Sequence, residues 1–283
     1  LRGAGKTTAI RILTTLARPT SGRARVAGYD VVSEAGWVRA RIGLAGQAAT
    51  VDGLLSARAN LEMIGRLYHL PRLEARARAD QLLERVALAD VADKLLKNFS
   101  GGMGRRLDLA ASLVAEPPVL FLDEPTTGLD PQSRNDLWKL IRERVRDGTT
   151  LILTTQTLDE ADREADHIVV LDHGTVVATG TPAELKARIG GERVVVSLVA
   201  ADQLATAVGA LSRFADGSIA RDAEQREFVV PVRRGTPLIE LVRALDDAGV
   251  DALDIHRREL TLDDAFLALT GRARTDGQET VPQ

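Results

Sequence analysis

Apolar residues recur along this chain with two different periods, and the places where the period changes mark its elements. Residues 7–16 carry apolar side chains at helical spacing, and Pro-Thr-Ser-Gly at 19–22 breaks that pattern before a strand expected over 23–29. A second strand is expected over 41–45, running toward Gln47. From about 50 to 98 the pattern is helical among many charges, with Leu61, Ile64 and Leu67 on one stripe and Leu82, Leu83 and Val86 on another. That stretch reads as a helical subdomain inserted into an α/β core. The run Val119-Leu120-Phe121-Leu122 is too short for a helix and has prolines on both sides, which predicts a buried strand, and residues 150–154 repeat the pattern. Between these two runs, residues 131–147 have the spacing of an amphipathic helix. Residues 167–171 and 175–178, joined by Asp172-His173-Gly174, predict a hairpin.

Beyond Gly190-Gly191 the alternation resumes: strand 194–199, helix 202–214, strands 218–221 and 227–232, helix 237–247, strand 251–256. That order is βαββαβ, the ferredoxin-like arrangement. A last helix is expected over 262–269. Past Gly271 the residues are polar and aperiodic, which predicts a disordered tail. The expected organisation is an α/β domain over 1–190 with its helical subdomain at about 50–115, a small α+β accessory domain over 191–271, and a tail over 272–283.

Composition narrows the function classes. At 283 residues the chain is long enough for two hydrophobic cores, and 45% hydrophobic with 27% charged residues is the balance of a soluble globular protein. A net charge of −3 argues against a nucleic-acid interface over the whole surface. The absence of cysteine excludes a disulfide framework, a cysteine zinc site and thiol catalysis. No run approaches the roughly 18 apolar residues of a membrane-spanning helix, so any membrane role comes through a partner. No signal peptide is visible. The chain opens on Leu1, inside its first motif, so upstream sequence is expected. His69, His167, His173 and His256 lack metal-ligand spacing, and the arginine-rich stretch 72–85 reads as a solvated helix face. Trp37 and Trp138 read as packing residues.

Gly3-Ala4-Gly5-Lys6-Thr7-Thr8 matches the second half of the phosphate-binding loop G-x-x-x-x-G-K-[ST] and stands directly before a predicted helix. Polyphosphate is met there by inward-pointing backbone N–H groups, which small residues permit, at the positive end of a helix dipole. Lys6 then neutralises β/γ oxygens and the Thr7 hydroxyl ligates Mg²⁺. Leu120-Phe121-Leu122-Asp123-Glu124 is an apolar strand ending in two acids, the second half of such a site: Asp123 for the magnesium shell, Glu124 to polarise the attacking water.

Ser100-Gly101-Gly102-Met103, opening a predicted helix, resembles the signature loop of ABC ATPases, and PTTGLD at 125–130 is similar to their D-loop region. Gln47, at the end of a strand ahead of the helical insertion, resembles the Q-loop glutamine. The motifs stand in family order over about residues 1–185. The resemblance implies an α/β P-loop NTPase core of the ABC ATPase type, using ATP and Mg²⁺. It also implies two subunits packed head to tail, so that Ser100, Gly101 and Gly102 of one clamp the ATP held by Lys6 of the other, with Asp130 at the subunit contact. Gln47 would join the metal environment to the subdomain that engages a transmembrane permease, which places the chain on the cytoplasmic face of the membrane with no nucleic-acid partner.

The sequence departs from the family at the switch position, where Gln156 stands in place of the usual histidine. An amide still donates to the γ-phosphate but carries no proton. Arg2 and Gly104 also differ from the usual residues. The Thr155-Gln156 pair, the Ser-Gly-Gly-Met loop and the C-terminal domain together resemble daunorubicin-resistance-type exporters, which implies a hydrophobic drug or natural product as cargo. Two other readings stay open at this point: a catalytically weak nucleotide-gated regulator, and a soluble ABC ATPase acting on ribosomes or DNA.

Overall fold

The computed structural model describes residues 3–46, 51–189, 191–222 and 226–270, and the chain divides between Gln156 and Thr157 into two units. The first is built on a parallel sheet of three strands, Ile42–Ala45, Val119–Asp123 and Thr150–Thr154, with Val119–Asp123 in the middle. All five residues of that middle strand are buried. Its apolar run therefore serves both faces of the sheet, as expected for a strand covered on both sides. Val119 and Phe121 join Ile10, Val26, Val38 and Ile42 in one core, while Leu120 and Leu122 join the other, with Leu61, Leu83, Leu107 and Ile141.

The helical insertion is present as helices Ala57–Leu67 and Arg72–Arg85, followed along the chain by two short 3₁₀ turns. Ser56 caps the first helix, its hydroxyl accepting from the Ala59 N–H. The buried Asn60 side chain closes the turn before it, accepting from the Asp52 N–H at 2.7 Å. Helix Gly101–Leu113 then returns to the sheet. Its approach is permitted by Gly43, where an added Cβ would overlap the Ser112 carbonyl oxygen and crowd Pro117.

Three expectations are corrected here. Residues 23–29 are not one strand but a small hairpin, Arg25–Val26 with Tyr29–Asp30, because Ala27 and Gly28 both turn through positive φ (50° and 87°). Trp37 is not a core residue: it is 60% exposed, stacked against Tyr29 with Arg41 over both rings. The arginine-rich helix is not solvated throughout, since Arg78 reaches the Val114 carbonyl and Glu116. Trp138 is buried, as its packing role requires.

The second unit begins with helix Leu158–Glu164, hairpin Ile168–Asp172/Thr175–Gly180 and helix Pro182–Ile189. A capping box opens that last helix, with Glu184 accepting from the Thr181 N–H and the Thr181 hydroxyl accepting from the Glu184 N–H. Strands Glu192–Leu198, Ala220–Asp222, Glu227–Val232 and Ala252–Arg258 then form an antiparallel sheet whose spatial order is fourth, first, third, second. Helices Leu204–Leu211 and Leu238–Asp247 cover one face, packing Val208, Leu211, Leu241 and Leu245 on Val194, Val196, Phe228 and Val230. A final helix, Leu262–Thr270, buries Leu262 and Ala265 against Ala161, Ala178 and Leu185.

Candidate functional site

The first group of expected site residues stands at a helix start. Gly3 (φ 84°) and Gly5 (φ 96°) hold left-handed conformations, which glycine permits and other residues resist, and Gly5 is the N-cap of helix Lys6–Leu13. Ala4 is buried, whereas Thr7 and Thr8 are exposed, so the helix presents its first N–H groups beside two hydroxyls and the Lys6 ammonium. Such an end favours an anion. Ile10, one turn on, shares a core with Val119 and Phe121, which sets this helix beside the middle strand.

That strand delivers the second group. Asp123 and Glu124 are both buried. Glu124 has φ 52°, an unusual conformation for a side chain of its size, and is held there by its N–H, which donates to the Thr154 carbonyl at 3.0 Å and to the Thr154 hydroxyl at 3.2 Å. The same hydroxyl donates to Asp123 Oδ1 at 2.5 Å. Gln156, two residues on, donates from Nε2 to Glu124 Oε1 at 2.6 Å. Four side chains from two adjacent strand ends thus orient one another. Gln156 itself is exposed, so its amide can exchange this partner for another.

The third group gathers at two further helix starts. Ser100 caps helix Gly101–Leu113, its hydroxyl accepting from the Met103 N–H at 3.2 Å, and Ser100 and Gly101 face solvent. Asp130 caps helix Pro131–Arg146, accepting from the Ser133 N–H (2.9 Å) and the Ser133 hydroxyl (2.6 Å). The Ser133 hydrogen bonds hold its carboxyl below the usual carboxylate range. The two starts touch: a Cβ added at Gly102 would lie 3.1 Å from Ser133 Oγ.

Gln47 lies outside the described residues. Its neighbour Gly46 accepts a hydrogen bond from Arg105 Nη1 at 2.5 Å, which ties the end of strand Ile42–Ala45 to helix Gly101–Leu113. Thr154, Ser133 and Arg105 are the residues that sequence reasoning missed. Thr154 left a faint signal, a hydroxyl residue closing an apolar run. Ser133 stands three residues after its cap Asp130, a local spacing that could have been read, whereas Arg105 left no signal because its partner is fixed only by the fold.

The donor set suits a hard cation. Asp123 offers a carboxylate and Thr7 a hydroxyl, both oxygen, and among the described residues no cluster of three or more His, Cys, Asp or Glu could hold a metal alone. Magnesium commonly takes one or two protein oxygens and completes its shell with phosphate and water.

The ABC transporter family matches residues 2–127. A daunorubicin resistance ATP-binding protein of Streptomyces coeruleorubidus is 54% identical over 96% of this chain and 85% of its own length. A doxorubicin resistance ATP-binding protein of Mycobacterium tuberculosis is 43% identical over 95% and 82%. Among solved structures, an ATP-binding subunit of an ABC transporter aligns with TM-score 0.61 and 28% identity over 67% of this chain and 79% of that one. A dimeric ATP-binding cassette in a post-hydrolysis state, bound to ADP and phosphate, aligns with TM-score 0.59 and 26% identity over 64% and 82%.

Proposed function

The chain belongs to the ABC transporter family, and on that premise we propose that it works as one of a pair of ATPase subunits seated on a separate membrane permease. It is the ATP-binding and hydrolysing subunit of an ATP-driven exporter, an enzyme of the P-loop ATPase class. The observation that carries the catalytic reading is the Glu124 carboxylate, buried at a strand end and held by Gln156 at 2.6 Å.

Lys6 and the N–H groups of the Gly3–Thr8 loop bind the phosphates. Asp123 and the Thr7 hydroxyl would hold magnesium, with Gln47 as a further ligand. The metal, when bound, supplies charge neutralisation on the β/γ oxygens. Glu124 orients the attacking water in line with the γ-phosphate and receives its proton, while Thr154 fixes the direction of both acids. The Gln156 amide keeps its hydrogens and changes hydrogen-bond partner, donating to Glu124 in one arrangement and to the γ-phosphate in the other. The reaction is one of positioning and charge stabilisation, with no covalent intermediate.

Ser100, Gly101 and Gly102 form an anion-favouring helix end distinct from the Lys6 loop, so a single chain carries two half-sites. Pairing head to tail joins each half to its complement across the interface, with Asp130 at the contact, and loss of the γ-phosphate releases it. The relatives named for daunorubicin and doxorubicin resistance support a hydrophobic drug or natural product as cargo. No helix among the described residues is long and apolar enough to cross a membrane, which fits attachment through the permease at the cytoplasmic face. The βαββαβ sheet of the second unit supports its reading as a ferredoxin-like accessory domain with a regulatory or dimer-stabilising role.

The full-length protein is expected to hydrolyse ATP with Mg²⁺, and Glu124→Gln to accumulate an ATP-bound dimer seen by gel filtration. Turnover of that variant equal to wild type would overturn the assignment of the water-positioning residue.

A further inference from the structure

The two oxygens of the Asp123 carboxylate stand in different surroundings. Oδ1 accepts the Thr154 hydroxyl at 2.5 Å, the length of a charge-assisted bond from a hydroxyl to a carboxylate. Among the described residues, nothing donates to Oδ2. The hydroxyl's proton is committed to Oδ1, because the same oxygen accepts from the Glu124 N–H at 3.2 Å and has only one hydrogen to give. Nor can the two residues drift apart. Asp123 is 4% exposed, and it is aligned with Thr154 by the parallel pairing of strands Val119–Asp123 and Thr150–Thr154.

A carboxylate grips a metal ion with one oxygen or with two. Magnesium demands a near-octahedral shell at about 2.0–2.1 Å and is served by single oxygens, whereas calcium fills about six to eight positions at about 2.3–2.6 Å and readily takes both oxygens of one carboxylate. An oxygen that holds a hydroxyl proton has given part of its charge to that bond, and the bond also fixes the plane of the carboxylate. Asp123 therefore presents Oδ2 alone. That arrangement suits the smaller ion and withholds the second oxygen through which the larger one would fill its shell.

We propose that Thr154 is a metal-selectivity residue: by occupying Asp123 Oδ1, its hydroxyl makes Asp123 a one-oxygen ligand and biases the nucleotide site toward magnesium over calcium. Thr154 acts through Asp123 and is a positioning residue. The bias rests on the reading of Asp123 as a magnesium ligand and goes beyond it in naming what turns the wrong ion away.

The test is displacement of Mn²⁺ from the full-length protein loaded with a β,γ-imido analogue of ATP, with Mg²⁺ and Ca²⁺ as competitors and the electron paramagnetic resonance signal of free Mn²⁺ as the readout. The nucleotide's own preference is common to every variant, so the ratio of the half-displacing Ca²⁺ and Mg²⁺ concentrations isolates the protein's share. Thr154→Val keeps the branched shape and removes the hydroxyl. Ca²⁺ should then compete about ten-fold better relative to Mg²⁺, the lower end of what a hydrogen bond to a charged group is worth. Thr154→Ala should move the ratio the same way, which keeps the test decisive if the valine variant folds poorly, and Thr154→Ser, which restores the hydroxyl, should stay close to wild type. A merely structural loss would weaken both ions alike and leave the ratio where it was. An unmoved ratio in the valine and alanine variants, or a serine variant shifted as far as valine, would overturn the proposal. Asp123→Asn separates the underlying reading: it should weaken Mn²⁺ binding itself, and unchanged binding would remove Asp123 from the metal site whatever the Thr154 variants do.

Discussion

Replacing Gln156 tests the chemistry at the end of strand Thr150–Thr154, where a glutamine amide meets the candidate catalytic acid. Gln156→Ala removes the bond from Nε2 to Glu124 Oε1, 2.6 Å long, and leaves the backbone and Thr154 in place. A hydrogen bond to a charged group is worth about 1.5–3 kcal/mol, and because Gln156 is exposed the lower end applies, which corresponds to about ten-fold in rate. If the same amide also meets the γ-phosphate in the transition state, the loss approaches the roughly 10²-fold typical of a deleted oxyanion donor. Steady-state turnover of the full-length protein with Mg²⁺ should therefore show kcat down by about ten- to a hundred-fold with KM for ATP little changed, the mark of an interaction made at the transition state. The proton balance gives a second readout. Gln156 does not titrate, whereas Gln156→His adds an imidazole of ordinary pKa about 6.5, so kcat of the histidine variant should bend between about pH 6 and 8 more than that of wild type. An alanine variant within about two-fold of wild type, or a wild-type profile that bends like the histidine variant, refutes the reasoning.

Two further predictions concern the scaffold. Gly43→Ala forces a Cβ into the Ser112 carbonyl, a backbone atom that cannot swing aside, so it should lower stability by about 1–3 kcal/mol in denaturant titration; an unchanged midpoint would mean the helix stands further off. In the second unit, burial pushes the Asp264 carboxyl up, but hydrogen bonds from the Thr261 N–H and hydroxyl, with the Arg258 charge, outweigh it and hold the group below the ordinary carboxylate range. A lowered folded value means its stabilisation is fully present above the unfolded pKa of about 3.9 and is lost as pH falls through the lower folded value. Asp264→Asn should therefore destabilise at neutral pH and flatten the acid limb of the stability curve, and an acid limb as steep as wild type would contradict this.

Much of the site was legible because its chemistry is local. Gly3 to Thr8 are consecutive residues at one helix start, Asp123 and Glu124 end one apolar run, and Ser100 stands at the cap its type prefers. What escaped depends on register and on long reach. Thr154 matters because it pairs with Asp123 across two parallel strands, and that alignment is set by the sheet. Arg105 reaches Gly46 across 59 positions, and Gln156, itself expected in the site, makes a bond to Glu124 across 32 that the sequence did not foretell. Helices Leu158–Glu164 and Pro182–Ile189 are short enough that periodicity hardly registers, although Thr181 and Glu184 spell a capping box that announces the second. Trp37 reads as a packing residue in the sequence and does stack on Tyr29, but at the surface, because the five-residue helix Ala35–Arg39 buries Val38 instead.

Hydrolysis of each ATP between Lys6 of one subunit and Ser100 of the other is tested most directly by complementation. Lys6→Ala and Ser100→Arg should each abolish turnover alone, since each spoils both sites of a homodimer. Mixed together, they form heterodimers in which one site joins an intact Lys6 loop to an intact Ser100 loop, and ATP turnover should return. A mixture as inactive as its two components would contradict the account and return both half-sites to a single chain.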